Sequence, residues 1–174
     1  YASFFDLDIF DDGLLIIETI GGVLPAIIRA DFGGTFPDAR VFDIQANARL
    51  TLKNVIVENG NTNAEGGGIR NNDGIVNLMD GAIVRNNNAG GAGGGVLNTG
   101  NTAVLRVVGS SITGNNASSG GGIHNGTGAR TVIISASDVS SNTSVGVGGG
   151  VVNMDGNSQF FISSSTLTNN FSNA

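Results

Sequence analysis

The sequence contains no cysteine and no tryptophan, and its 174 residues include a single histidine and two prolines. Without cysteine the chain has no disulfide, no thiolate metal site and no cysteine nucleophile. Charged residues make up only 13% of it, about half the usual share. The net charge is −6, no basic patch is present and no apolar run reaches the ~18 residues of a membrane helix. We therefore expect no nucleic-acid partner and no membrane-spanning segment.

The negative charge is concentrated at one end of the chain. Residues 1–43 hold eight acids and two arginines, a net −6, and residues 44–174 hold six acids and six bases, a net zero. We therefore separate an acidic, apolar segment at 1–39, expected to be a cap or exchanged strand with an irregular first coil, from a neutral body at 40–174. Because the chain opens with Tyr1 rather than Met, we also expect it to be processed.

What the sequence does contain is glycine at a fixed spacing. Of its 29 glycines, four triplets begin at positions 66, 93, 120 and 148, a period of 27, 27 and 28 residues. Each triplet is followed by an apolar residue and, two positions later, by asparagine: Asn71, Asn98, Asn125 and Asn153. A fixed period of this length indicates a repeat architecture, in which each unit buries its apolar face against the next.

Apolar residues also recur in rows at this period. The rows are Ile69, Val96, Ile123 and Val151; Val76, Leu105, Val132 and Phe160; Leu78, Val107, Ile134 and Ile162; and Ile83, Ile112, Val139 and Leu167. Within each short segment the apolar positions alternate with period two, as in strands. Rows repeated at this interval require parallel, in-register strands ~4.8 Å apart. The sequence therefore predicts an all-β fold, a parallel β-helix (solenoid) of about six coils with three short strands per coil.

The asparagines after the triplets have the same inward parity as the apolar rows. We predict that Asn71, Asn98, Asn125 and Asn153 form a structural ladder of amides hydrogen-bonded from coil to coil. Binding of a glycan or an ion by these amides is the alternative.

Two motifs carry a resemblance to a known family. Gly67-Gly68-Ile69 and Ile83-x-x-Asn86 resemble the GGA(I/L/V) and FxxN repeats of polymorphic-outer-membrane-protein-type β-helix proteins, although Ile, Val or Leu replaces Phe and no strict Ala follows the glycines. The resemblance covers roughly residues 40–170. It implies a right-handed parallel β-helix at the cell surface or outside the cell, and it implies no reaction.

No constellation of catalytic residues is visible. Asp73 and Asp155 share a row but lie three coils apart, ~14 Å, beyond the ~5–9.5 Å of paired glycosidase carboxylates. His124 is expected to face solvent without a partner that would make it a base. We therefore expect no enzymatic activity, catalytic group, cofactor or metal. The acids Asp6, Asp8, Asp11 and Asp12 could hold a hard cation, but a solvated strand face explains them more simply.

The ends of a solenoid need a cover, and two sets of apolar residues bear on this need. Phe5, Leu7 and Ile9 form one face of a segment that could cap its own first coil or add to a neighbour. Ile133 and Phe161 should point outward in successive coils. We therefore expect an extracellular structural or adhesive module that associates end to end as a surface or filament subunit. A carbohydrate-binding or polysaccharide-degrading β-helix protein is the alternative, with surface glycans as partners.

Overall fold

The computed structural model describes residues 7–10, 12–20, 24–30, 39–154 and 156–174. These residues form a stack of six coils built from 23 short strands. The first coil contains β1 (Leu7–Ile9), β2 (Leu14–Glu18) and β3 (Ala26–Arg29). The second contains β4 (Phe42–Ile44), β5 (Arg49–Lys53), β6 (Val55–Glu58) and β7 (Asn61–Thr62). The third contains β8 (Ile69–Asn72), β9 (Ile75–Met79), β10 (Ile83–Arg85) and β11 (Asn88–Ala89). The fourth contains β12 (Val96–Thr99), β13 (Val104–Val108), β14 (Ser111–Thr113) and β15 (Asn116–Ala117). The fifth contains β16 (Ile123–Asn125), β17 (Thr131–Ser135), β18 (Asp138–Ser140) and β19 (Thr143–Ser144). The sixth contains β20 (Val151–Asn153), β21 (Gln159–Ser163), β22 (Thr166–Thr168) and β23 (Phe171–Ser172).

Strands at the same place in successive coils pair to form four sheets that run the length of the stack. The first, second and third strands of each coil form sheets A, B and C, with six strands each, and the fourth strands form sheet D, with five. Every pairing between these strands is parallel, for example β9 with β13 and β13 with β17. Six stacked strands correspond to five turns from first to last. The predicted parallel β-helix is confirmed, with a two-residue fourth strand in coils two to six beyond the three expected.

The core consists of columns, each a set of residues that occupy the same position in successive coils. Leu78, Val107, Ile134 and Ile162 form one column in the predicted register. The rows through Val76 and Ile69 are confirmed in the same way. Leu78, Val107 and Ile134 are fully buried, and complete burial of such a side chain contributes about 1.5–3 kcal/mol. The core is therefore a continuous apolar rod enclosed by sheets A, B and C.

The predicted row through Ile83 is wrong at its first member. Val84, not Ile83, pairs with Ile112, and Val84 is fully buried whereas Ile83 is partly exposed. The third coil has one extra residue between sheets B and C, so that six positions separate Leu78 from Val84 where five separate Val107 from Ile112. The asparagine three after the inward residue is therefore Asn87 rather than Asn86.

The glycine triplets form the corner that leads into sheet A. The first glycine of each triplet has a positive φ, between 61° and 72°, in the left-handed region where a side chain is strained. The second approaches the next coil closely, since a Cβ on Gly94 would lie 2.5 Å from the carbonyl oxygen of Gly121. Each triplet therefore combines a turn with a close backbone contact between coils.

The N-terminal strands belong to the stack of their own chain. β1 pairs with β4, β2 with β5, and β3 with β6. Ile9 pairs with Ile44 and is buried, with 8% of its surface exposed. The described strands of this segment therefore form the first coil themselves and pair with the second coil of their own chain.

Candidate functional site

The predicted asparagines lie in one hydrogen-bonded column of sheet A. Nδ2 of Asn71 donates to Oδ1 of Asn98 at 2.7 Å, Asn98 donates to Asn125 at 2.8 Å, and Asn125 donates to Asn153 at 2.8 Å. The first three side chains are fully buried, and Asn153 is exposed in the last coil. Ile44 occupies this position one coil earlier, so Oδ1 of Asn71 has no partner among the described residues. We call this column the sheet A ladder.

A second ladder follows the third strands and was not predicted. Asn87, Asn115 and Asn142 are buried, and each donates from Nδ2 to Oδ1 of the next, with Asn170 as the last acceptor. Each acceptor oxygen also receives a backbone N–H, as when Asn87 N donates to Asn115. The amides of Asn87, Asn115 and Asn142 are therefore saturated by their neighbours. The sequence signal for this column is the asparagine that recurs three positions after an inward apolar residue, as in Ile112 and Asn115.

A third column of polar side chains lies on the solvent side of sheet D. Asn88 donates to Asn61 at 2.7 Å, Asn116 donates to Asn88 at 2.7 Å, and the Thr143 hydroxyl donates to Asn116 at 2.8 Å. Asn61, Asn116 and Thr143 are exposed. This column shows that stacked amides also form where no core burial enforces them.

His124 lies on the outer side of sheet A, between Leu97 and Val152. His124 lies outside the core as predicted, but it is only partly exposed, because the glycine corners cover this side: Leu97 is 2% exposed and Val152 is 8% exposed. Burial lowers the pKa of His124, against the opposing effects of the Glu65 charge and of Ser119. The Ser119 hydroxyl lies 3.1 Å from Nδ1 of His124. This contact holds the imidazole against the glycine corner that precedes β16.

The same column carries a buried ion-pair cluster that sequence analysis missed. Asp43 is 6% exposed, and its carboxylate lies 3.1 Å from the side chains of both Arg40 and Arg70. Arg40 also donates to the backbone carbonyl of Glu65. The arginines neutralise the buried carboxylate and tie the second coil to the third.

The predicted acids that the structure describes are Asp8, Asp12 and Asp73. Asp73 accepts hydrogen bonds from the backbone N–H and the hydroxyl of Thr102, at 2.9 and 3.1 Å, so it holds a turn of the next coil. Asp12 and Asp73 line one pocket of about 280 Å³, which Arg49 also lines. Asp8 is exposed on β1. The remaining candidates, Asp6, Asp11 and Asp155, lie outside the described residues, and no cluster of three His, Cys, Asp or Glu side chains occurs within them.

The last coil exposes core-column residues whose counterparts in the second to fifth coils are buried. Ile162 is 45% exposed and Leu167 is 42% exposed, whereas Ile134 and Val139, which precede them in the same columns, are fully buried. Phe171 in β23 is 58% exposed, but it continues the outward column of sheet D through Thr143. The sixth coil thus presents an apolar surface formed by Ile162 and Leu167 of the core columns, which we call the C-terminal end face.

Of the five residues predicted to mediate assembly, the four that the structure describes do not lie together. Ile133 and Phe161 are neighbours on the outer side of sheet B, and Phe161 is 53% exposed. Leu7 lies at the opposite end of the stack and is 48% exposed. Ile9 is buried in its own chain and is therefore unavailable to a partner, and Phe5 lies outside the described residues.

Comparison with known proteins identifies no relative. No protein-family model, curated protein or solved structure matches the chain. Among the described residues, no helix is long and apolar enough to cross a membrane.

Proposed function

We propose that this protein is a structural or adhesive module that acts outside the cell, without enzymatic activity, and that its copies stack end to end. The observation that carries the proposal is the match between the apolar columns of the first coil and those of the sixth. Ile162 and Leu167 of the sixth coil are nearly half exposed, and they lie in the same columns as apolar residues of the first coil.

The first coil of a second copy has the matching pattern. Three core columns run through all six coils: from Leu15 to Phe160, from Ile17 to Ile162, and from Ile28 to Leu167. A second copy placed one coil beyond β21 therefore continues each column with an apolar residue. Its β1, β2 and β3 would pair with β20, β21 and β22 as they pair with β4, β5 and β6 within the chain.

The charges at the two ends are compatible with this contact. Edge strands are usually guarded by charged residues or proline, but residues 156–174 contain neither. The outward residues of the first coil, Asp8, Glu18 and Arg29, would meet Val152, Ser163 and Thr168. No like charges would face each other across the junction, and such a contact between unlike ends propagates into filaments.

The extracellular and adhesive parts of the proposal rest on the resemblance to surface β-helix proteins in residues 40–170. The non-enzymatic part is supported by the separate structural tasks of the described polar groups. Asp73 holds a turn, and His124 is held under a loop by Ser119.

Two adjacent substitutions test the stacking. Leu167→Asp places a charge on the C-terminal end face, and Thr168→Asp places the same charge on the outer side of the same strand, where it would face Arg29 of a second copy. Sedimentation velocity over a wide concentration range should show association of the natural protein and of Thr168→Asp, and a monomer for Leu167→Asp. If the natural protein stays monomeric throughout, or if both variants associate like it, the proposal is wrong.

A further inference from the structure

A groove runs along the solenoid at the corner between sheets B and C. It has a volume of about 440 Å³ and spans four coils, from Gly81 to Thr166. Gly81, Gly109, Ala136 and Ser164 turn this corner in successive coils with φ values of 86°, 57°, 49° and 48°. Because these residues are small, the groove leaves the backbone of each coil accessible to a ligand.

One wall of the groove is a polar column of sheet C. Ser111 pairs with Asp138, and Asp138 pairs with Thr166. Within the described chain the hydroxyls of Ser111, Ser164 and Thr166 make no hydrogen bond. Oδ2 of Asp138 accepts from the Ser140 hydroxyl, which leaves Oδ1 as an acceptor. The wall therefore presents a donor or an acceptor at each of three successive coils.

The other hydroxyls at this corner are committed to the fold. Ser110 and Ser137 are each 6% exposed. The Ser110 hydroxyl donates to the carbonyl of Val108, and the Ser137 hydroxyl accepts the backbone N–H of Ser110. These bonds fix the floor of the groove, so that the polar groups of Ser111, Asp138 and Thr166 in its wall are held on a rigid frame.

The charge and spacing of the groove select the chemistry of its ligand. Among the described residues that line it, Asp138 alone is charged, so an anionic ligand is disfavoured. The polar positions repeat at the coil spacing of ~4.8 Å, whereas an extended peptide advances ~3.3 Å per residue and falls out of step with them. A sugar ring in an extended glycan has nearly the length of one coil and carries hydroxyls that both donate and accept. We propose that this groove binds a linear, uncharged glycan along the solenoid axis, one sugar per coil.

A substitution can obstruct the groove without disturbing the fold. Gly109 has a left-handed φ of 57°, which asparagine tolerates, and a Cβ there would meet nothing closer than 4.0 Å. Gly109→Asn therefore places a side chain in the groove. Gly114→Asn is the control, because Gly114 also has a left-handed φ, of 65°, and lies outside the groove. A Cβ there would lie 2.9 Å from Oδ1 of Asn86, the end of a flexible side chain that can move aside.

The test is a titration of the full chain with cellotetraose, xylotetraose and mannotetraose, followed by NMR and calorimetry, with tetragalacturonic acid and a Gly-Ser peptide as comparators. We expect at least one neutral glycan to shift the amide signals of Ser111, Asp138 and Thr166. Gly109→Asn should weaken binding by about tenfold or more, and Gly114→Asn should leave it unchanged. Absence of binding by all three neutral glycans, equal binding of the anionic glycan or the peptide, or equal loss in both variants would overturn the proposal. None of these outcomes depends on stacking, which sedimentation reports separately.

Discussion

Nδ2 of Asn98 donates to Oδ1 of Asn125 across 2.8 Å, and both side chains are fully buried. Asn98 and Asn125 are thus each an acceptor toward one neighbouring coil and a donor toward the other. A buried amide that loses its partner costs about 1–3 kcal/mol, so the ladder favours coils that keep asparagine at this position. It acts as a register device inside an apolar core.

Breaking the sheet A ladder should destabilise the protein. Asn98→Ala leaves Oδ1 of Asn125 without its donor and opens a small cavity, and we expect the free energy of unfolding to fall by about 2–4 kcal/mol. Urea unfolding measured by circular dichroism gives this difference. Asn116→Ala, in the exposed column of sheet D, is the control and should cost no more than about 0.5 kcal/mol. Similar losses in the two variants would show that burial of the amides does not determine how much they contribute to the free energy of unfolding.

The repeated positions were the part of the fold that could be predicted. Leu78, Val107, Ile134 and Ile162 share one column as expected, because parallel stacking converts a period along the chain into contact in space. The predicted column position of Ile83 was wrong because this corner contains an extra residue. Asp80 and Gly81, which both have positive φ, together accommodate it. A period counted along the sequence cannot reveal which corner absorbs an insertion.

Ala136 offers a test of the strain at the groove corner. Its φ is 49°, a conformation that costs an L-residue about 1–2 kcal/mol. Ala136→Gly removes this strain but loosens the unfolded chain by about 0.4–1 kcal/mol, so we expect a net gain of roughly 0.5–1 kcal/mol in thermal or urea unfolding. Ala82→Gly, at a buried position without positive φ, should instead lower the stability. A loss in both variants would contradict the account of this corner.

His124 should give the stability a defined pH dependence. Its folded pKa lies below the ordinary value of 6.5 because burial disfavours the imidazolium, so the unfolded chain takes up the proton first. The free energy of unfolding should therefore be highest above pH 6.5 and fall as the pH drops from 6.5 toward the folded pKa. Urea midpoints between about pH 7.5 and about pH 5.5 measure this change.

The control for this prediction is His124→Gln. Since His124 is the only histidine, the variant should have a much flatter pH profile over the same window. A profile identical to that of the natural protein would assign the effect to other groups.

The surroundings of His124 show what the sequence could not supply. Alternation along β16 places His124 outside the core, but the glycine corner and Ser119 fold back over it. Side-chain parity reports which side of a strand a residue occupies, whereas coverage depends on the path of a loop with no periodic signal. The ion-pair cluster at Asp43 could not be predicted either, because it joins side chains of different coils and has no periodic signal in the sequence.

The most direct test of stacking is a cross-link between single-cysteine variants, because the natural chain contains no cysteine. Glu18 and Ser163 are the first and last residues of one outward column, so they should become neighbours across a junction between copies. Mixing Glu18→Cys with Ser163→Cys under oxidising conditions should yield a disulfide-linked dimer of the two variants. Ile27→Cys mixed with Ser163→Cys is the control, since Ile27 is exposed but lies in sheet C, and should yield little. Equal cross-linking in both mixtures, or none in either, would contradict end-to-end stacking in this register.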